Sequence, residues 1–228
     1  KRLHSLVLAV TVACAAGIIA GAAGDESNFE LLDVSGMISS DWKFNGAATA
    51  DDGRVVFAPH FADGVGVFDP TNDSFMLVDI SGMISMDYKF AGAATADDGR
   101  VVFAPYNAGG VGVFDPTNDS FTLVDISTVV SGPYKFNGAA TVGDGRVVFA
   151  PHNADGVGVF DPTNDSFTLV DISTVVSGPY KFNGAATVGD GRVVFAPHNA
   201  DGVGVFDLKS DSFMLVDISG MISMDYKF

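Results

Sequence analysis

The chain has 228 residues, 47% hydrophobic and 18% charged, with 27 glycines and 19 phenylalanines; that composition suits packed β-structure and argues against disorder. Its formal charge of −16 repels phosphate backbones and anionic headgroups, which disfavours nucleic acid or a membrane surface as a partner of the main part of the chain. Cations, basic proteins and neutral sugars stay open, whereas thiol chemistry does not, because the one cysteine, Cys14, lies in the N-terminal apolar segment and the rest of the chain has no cysteine for a disulfide or a metal.

Lys1 and Arg2 precede an apolar run from Leu6 to about Ala23, and Ala20-Gly21-Ala22 gives the small-residue pattern that precedes a cleavage site. Residues 1–24 therefore read as a secretory signal, which makes the protein secreted or extracellular. The alternative is an N-terminal membrane anchor formed by residues 3–23, since the run approaches the length of a bilayer span.

From residue 25 the chain repeats every 46 residues: Trp42-Lys43-Phe44 returns as Tyr88-Lys89-Phe90, Tyr134-Lys135-Phe136, Tyr180-Lys181-Phe182 and Tyr226-Lys227-Phe228. Such a period marks a repeat architecture, with full repeats at 41–86, 87–132, 133–178 and 179–224. In the first, Phe44 to Thr49 forms strand a, and Asp52-Gly53 predicts a type I′ hairpin into strand b, Arg54 to Ala58. Asp63-Gly64 leads into strand c, Val65 to Phe68. The cluster Asp69-Pro70-Thr71-Asn72-Asp73 makes the next turn, with proline presetting φ and Asp or Asn capping, and strand d runs from Phe75 to Ile80. The apolar runs are nearly continuous, as expected of sheets buried on both faces. The fold class is all-β: a β-propeller, or a fragment of one, built of four-stranded antiparallel blades. Residues 25–40 match the end of a repeat and supply an extra strand d, which in a propeller completes the last blade. The a, b and c strands that should accompany it would begin at Asp225, so the sequence reads as a piece of a longer protein.

Gly46-Ala-Ala-Thr-Ala-Asp-Asp-Gly53-Arg-Val-Val-Phe57 followed by Gly64-Val-Gly-Val-Phe-Asp69 resembles the repeats of NHL, YVTN and lyase-type β-propellers over residues 25–228. The resemblance implies the blade and not an activity. Enzymes of similar fold, such as antibiotic-inactivating lyases and lactonases, use a few distinctive His, Glu or Asp residues in particular blades, and none of these aligns with this chain.

Antiparallel topology places the a–b and c–d turns on one face of the disc and the b–c and d–a loops on the other. The first face collects Asp51, Asp52, Asp69, Asp73 and their repeats. Calcium is the cofactor those carboxylates suggest, although Asp, Asn, Pro and Gly are also what turns are made of and no turn has the full calcium-loop spacing; otherwise no cofactor is implied. The opposite face gathers His60, Tyr106, His152 and His198, with Lys43, Lys89, Lys135 and Lys181 entering beside them, a polar and weakly basic ring at one mouth of the channel and the candidate ligand-binding face. The histidines sit in different blades, and the separation expected between them argues against one shared ion. No catalytic set is apparent, and near-identical blades lack the broken symmetry that catalysis usually shows. Asn72, Asn118 and Asn164 are N-glycosylation sequons on the c–d turns. The expected function is a secreted, non-enzymatic binding module for a protein or glycan. A propeller lyase or hydrolase with a site at the channel mouth and an acidic calcium-associated structural protein are the alternatives.

Overall fold

The computed structural model describes residues 18–19, 30–222 and 227. It contains four four-stranded antiparallel sheets, each with its strands in chain order from a to d. Blade one consists of Phe44–Thr49, Val55–Pro59, Gly64–Asp69 and Ser74–Asp79; blade two of Phe90–Thr95, Val101–Pro105, Gly110–Asp115 and Ser120–Asp125. Blade three consists of Phe136–Thr141, Val147–Pro151, Gly156–Asp161 and Ser166–Asp171; blade four of Phe182–Thr187, Arg192–Pro197, Gly202–Asp207 and Ser212–Asp217.

Each blade has two unlike faces. Phe90, Phe103 and Phe121 of blade two pack as a trio, with the ring centroids of Phe103 and Phe121 at 5.6 and 6.0 Å from Phe90. This phenylalanine face enters the Val and Ala face of blade one, made by Val56, Ala58, Val65 and Val67. The same pairing joins blade two to three and three to four. Burial of such side chains contributes roughly 1.5–3 kcal/mol each, which explains why the strands read as nearly continuous apolar runs.

Strand a lies innermost and carries a β-bulge between Phe44 and Ala47, repeated in every blade. Gly46 occupies it at φ 104°, and a Cβ there would lie 2.7 Å from the Cα of Gly92 in the next blade. Glycine is needed both for the positive φ and for the approach of the two backbones. Gly92 meets Gly138 and Gly138 meets Gly184 in the same way, while a Cβ on Gly184 would find nothing within 4 Å. Threonines lace the same strands: Thr95, Thr141 and Thr187 donate through Oγ1 to the carbonyls of Thr49, Thr95 and Thr141 at 2.6–2.7 Å.

One turn differs from its sequence prediction. Among the a–b turn residues of blade one only Gly53 has positive φ, Gly53 N donates to Ala50 O at 2.9 Å and Ala50 N to Arg54 O at 2.8 Å. That is a three-residue type I turn closed by a left-handed glycine, not the two-residue type I′ turn, because pairing stops at Ala50 and Arg54 and leaves Asp51 inside the loop.

Leu31–Leu32 pairs with Ile18–Ile19 in a small antiparallel sheet. Leu32 borders a cleft with Phe68 and Asp73 of blade one, and Met37 N and Ile38 N donate to Val34 O as Met83 N and Ile84 N do to Ile80 O. The segment thus keeps the form of a strand d end beside blade one. The rest of residues 1–24, read above as a signal or anchor, lies outside the described residues.

Candidate functional site: an aromatic row at the channel mouth

Trp42, Tyr88, Tyr134 and Tyr180, one per blade, stand just before strand a with φ between 48° and 58°. A bulky aromatic residue rarely adopts this left-handed region, where it costs on the order of 1–3 kcal/mol. Two hydrogen bonds hold Tyr134 there: its N–H donates to Asn107 Oδ1 of blade two at 3.0 Å, and its carbonyl accepts from Asn153 N of its own blade at 2.9 Å. Tyr180 repeats both, with Asn153 Oδ1 at 2.9 Å and Asn199 N at 2.9 Å. In blade one Phe61 replaces the asparagine and packs on Tyr88 with centroids 4.5 Å apart.

The result is a continuous row. Ring centroids follow at 6.2 Å from Trp42 to Tyr88, 6.2 Å from Tyr88 to Tyr134 and 6.3 Å from Tyr134 to Tyr180. Trp42 is 68% exposed and, with Phe44, Phe57, Phe61 and Tyr88, lines an open cleft of about 850 Å³.

His60, Tyr106, His152 and His198 form a second row against the first. Their rings lie closer than the sequence suggests, 5.7 Å between His60 and Tyr106, 5.7 Å between Tyr106 and His152, and 5.6 Å between His152 and His198. His60 and His152 are buried, and each Nδ1–H donates to a carbonyl of the following blade, Phe90 O at 2.6 Å and Phe182 O at 2.7 Å. Burial pushes both imidazoles below their usual pKa against the opposing effect of those carbonyls, so they are neutral wedges between blades. Among the described residues no group of three or more His, Cys, Asp or Glu is arranged to hold a metal.

The lysines do not form a basic ring in solvent. Lys89, Lys135 and Lys181 are 0%, 2% and 1% exposed. Their ammonium groups cap loop carbonyls: Lys135 Nζ donates to Gly132 O at 3.0 Å and Tyr106 O at 3.3 Å, and Lys181 Nζ to Gly178 O at 2.8 Å. Lys43, half-buried, donates to Ser40 O at 2.6 Å. What reaches solvent at the mouth is the Trp42 ring and part of Tyr88, Tyr134 and Tyr180, with aspartates such as Asp63 beside them. The Trp/Tyr-Lys-Phe triplet had carried this signal in the sequence, as the marker of the period.

On the other face the aspartates act within their turns. Asp69 Oδ1 accepts from Thr71 N at 2.8 Å and Thr71 Oγ1 at 2.6 Å, and these bonds, the hydroxyl's first, hold its carboxyl below the usual range. Arg54 bridges two blades, donating to Asp52 Oδ2 at 2.7 Å, to Asp119 Oδ1 at 2.8 Å and to Pro116 O; Arg100 does the same with Asp98, Asp165 and Pro162 O. Asn72, Asn118 and Asn164 are exposed on this face.

No family model matches the chain, and no curated protein matches it. Solved structures do. Virginiamycin B lyase from Staphylococcus aureus is similar at TM-score 0.65 and 16% identity over 78% of this chain and 57% of the lyase. The extracellular domain of the putative one component system BT4673 from B. thetaiotaomicron gives 0.64 and 16% over 85% of this chain and 27% of that one. The WD40 repeats of RRP9 give 0.59 and 10% over 77% and 51%. At these identities the likeness shows the fold, a β-propeller arrangement, and this chain spans little more than half of the lyase's length.

Proposed function

We propose that the protein is an extracellular, non-enzymatic propeller module that holds an extended ligand, a protein or a glycan, across the face formed by the b–c and d–a loops. The observation that carries this reading is the row of aromatic residues held in an unfavourable backbone conformation in all four blades. Such strain persists where the surroundings fix it, and Trp42 and Tyr88 of the row line the open cleft. Trp and Tyr supply large contact area at low entropic cost, and a backbone fixed in advance, as that of Tyr134 and Tyr180 is by hydrogen bonds from two blades, loses little freedom on binding. Equivalent positions spaced along an arc add avidity for a repeating or extended partner. The apolar N-terminal segment and the likeness to the extracellular domain of BT4673 support the location.

The test is capture and affinity measurement with the full chain against a glycan array and extracellular proteins, repeated with Trp42→Ala and Tyr134→Ala. The expected result is at least a tenfold loss for every recovered ligand; unchanged affinity in both variants overturns the reading. The alternative, a lyase or hydrolase, draws support from the fold likeness to virginiamycin B lyase. Turnover of lactone, ester or streptogramin substrates by the purified protein would favour it.

A further inference from the structure

The b–c loops read His60-Phe61-Ala62-Asp63-Gly64 in blade one, His152-Asn153-Ala154-Asp155-Gly156 in blade three and His198-Asn199-Ala200-Asp201-Gly202 in blade four. Blade two alone reads Tyr106-Asn107-Ala108-Gly109-Gly110. The aspartate is the counter-ion of the lysine in the following blade. Lys89 Nζ lies 3.8 Å from Asp63, with the two side chains 0% and 72% exposed, and Lys227 Nζ lies 3.5 Å from Asp201, at 1% and 76%. Each carboxylate thus stands in solvent facing an ammonium group that is buried.

At the junction of blades two and three the pair has lost its carboxylate and kept its lysine. The loop path is unchanged, since Ile126 N donates to Gly109 O at 3.0 Å as Ile80, Ile172 and Ile218 donate to Asp63, Asp155 and Asp201 at 2.9 Å. Neither space nor backbone conformation requires glycine there: a Cβ on Gly109 would meet nothing within 4 Å, and Gly109 is not among the positive-φ glycines. The second acid is missing as well. The residue two before the lysine is Asp87 for Lys89, but Pro133 for Lys135 and Pro179 for Lys181.

The three buried lysines therefore form a series. Lys89 feels Asp63 and Asp87, Lys181 feels Asp155, and Lys135 feels neither kind of partner, so that burial alone brings its ammonium down to about 8. A buried ammonium satisfied only by carbonyls, facing an open place where its sister residues meet a carboxylate, is an anion site with one component removed.

We propose that the gap at Gly109 binds a carboxylate group carried by the ligand, seated where Asp63, Asp155 and Asp201 stand in the other blades and held by the Lys135 ammonium. An aspartate side chain ends in a group the size of acetate, so a carboxymethyl or uronate-like carboxylate matches the space left by its removal. The site is single in the described chain and fixes one point of a ligand otherwise held by aromatic contact. For its biological meaning the inference rests on the reading of the mouth as a binding surface, while its test is independent of the aromatic row.

The full chain, labelled with nitrogen-15, is titrated with sodium acetate at pH 7 and constant ionic strength, with sodium chloride and sodium sulfate as controls. The expected result is a saturable shift of the Gly109, Gly110 and Lys135 amides in the millimolar range with acetate alone. Gly109→Asp, which restores the sister loop, removes saturation and raises the melting temperature. Asp155→Gly, which copies blade two into blade three, creates a second saturable response around Lys181. Shifts that grow linearly, that are matched by chloride or sulfate, or that persist in Gly109→Asp overturn the proposal. Trp42→Ala leaves the acetate response intact, so failure of the aromatic row and failure of the carboxylate site give different results.

Discussion

The two faces of the arc are built from the same strands and differ in what their loops do with polar groups. On the turn face, aspartates spend their oxygens on their own turns, and arginines tie one blade to the next. On the mouth face the bases are drawn inward: lysines cap carbonyls, His60 and His152 are buried between blades, and Trp42 and the tyrosines are left at the surface beside exposed aspartates. Charge visible in a sequence is therefore a poor guide to charge visible to a ligand. Of the two faces, the one that buries its bases and presents aromatic rings is the better built for recognition.

If the turn face is structural, its arginines should matter for stability and not for binding, and this gives the largest expected effect. Arg100→Ala removes charge-assisted bonds to Asp98, Asp165 and Pro162 O. Such bonds contribute about 1.5–3 kcal/mol when shielded and less when exposed. A loss of about 1–2 kcal/mol lowers the melting temperature of a domain this size by roughly 2–8 °C. Arg192, half-exposed and paired with Asp190 in its own turn, is the control, and Arg192→Ala should shift the midpoint by about 1 °C or less. Equal shifts would show that the bridges between blades contribute nothing beyond a surface ion pair.

Acid separates the faces by pH window. His60 and His152 have folded pKa values below the ordinary one, so below about pH 6.5 the unfolded chain takes up protons that the folded chain does not. Stability contributed by the neutral rings is present above that value and is lost as pH falls toward the folded pKa. The turn aspartates, such as Asp69, Asp115 and Asp161, are also depressed, chiefly by threonine hydroxyls. Their contribution is lost only as pH falls below the ordinary Asp value of about 3.9. Melting curves from pH 8 to pH 3 should show a mouth step and then a turn step. Blade two supplies the control residue: with His60→Tyr and His152→Tyr, which place at both positions the residue type of Tyr106, the upper step should disappear and the lower one remain.

Much of this architecture was legible. The 46-residue period placed all four blades, strand limits agreed to within a residue or so, and Asp-Pro-Thr-Asn-Asp announced a capped turn that Asp69 and Asn72 do form. The site was harder to see, for two physical reasons. Residue type did not reveal that Lys89, Lys135 and Lys181 point inward, because that depends on the left-handed residue before each one, and left-handed φ is what sequence statistics assign to glycine or asparagine and not to Tyr. The distance between His152 and His198 depends on how closely adjacent inner strands approach. That approach is set by Gly138 and Gly184, each on the inner strand of its blade and not in the loop that carries the histidine.

The smallest expected effect tests whether the faces are independent. Asn72, Asn118 and Asn164 are exposed on the turn face, and each Oδ1 accepts from the N–H of the serine that completes its sequon, Ser74, Ser120 or Ser166, at 3.0–3.1 Å. Replacing the asparagines would break those turns along with the sequons. Ser74→Ala, Ser120→Ala and Ser166→Ala remove the sequons and keep the bond, since the donor is a backbone N–H, and exposed substitutions of this kind cost about 0.5 kcal/mol or less. In protein made through a eukaryotic secretory pathway, the triple variant should lose up to three glycans by mass while the mouth affinity stays unchanged, because glycans on the c–d turns project from the opposite face. A change in mouth affinity on removing them would show that the ligand wraps around the rim, and the aromatic row would then be one part of a larger surface.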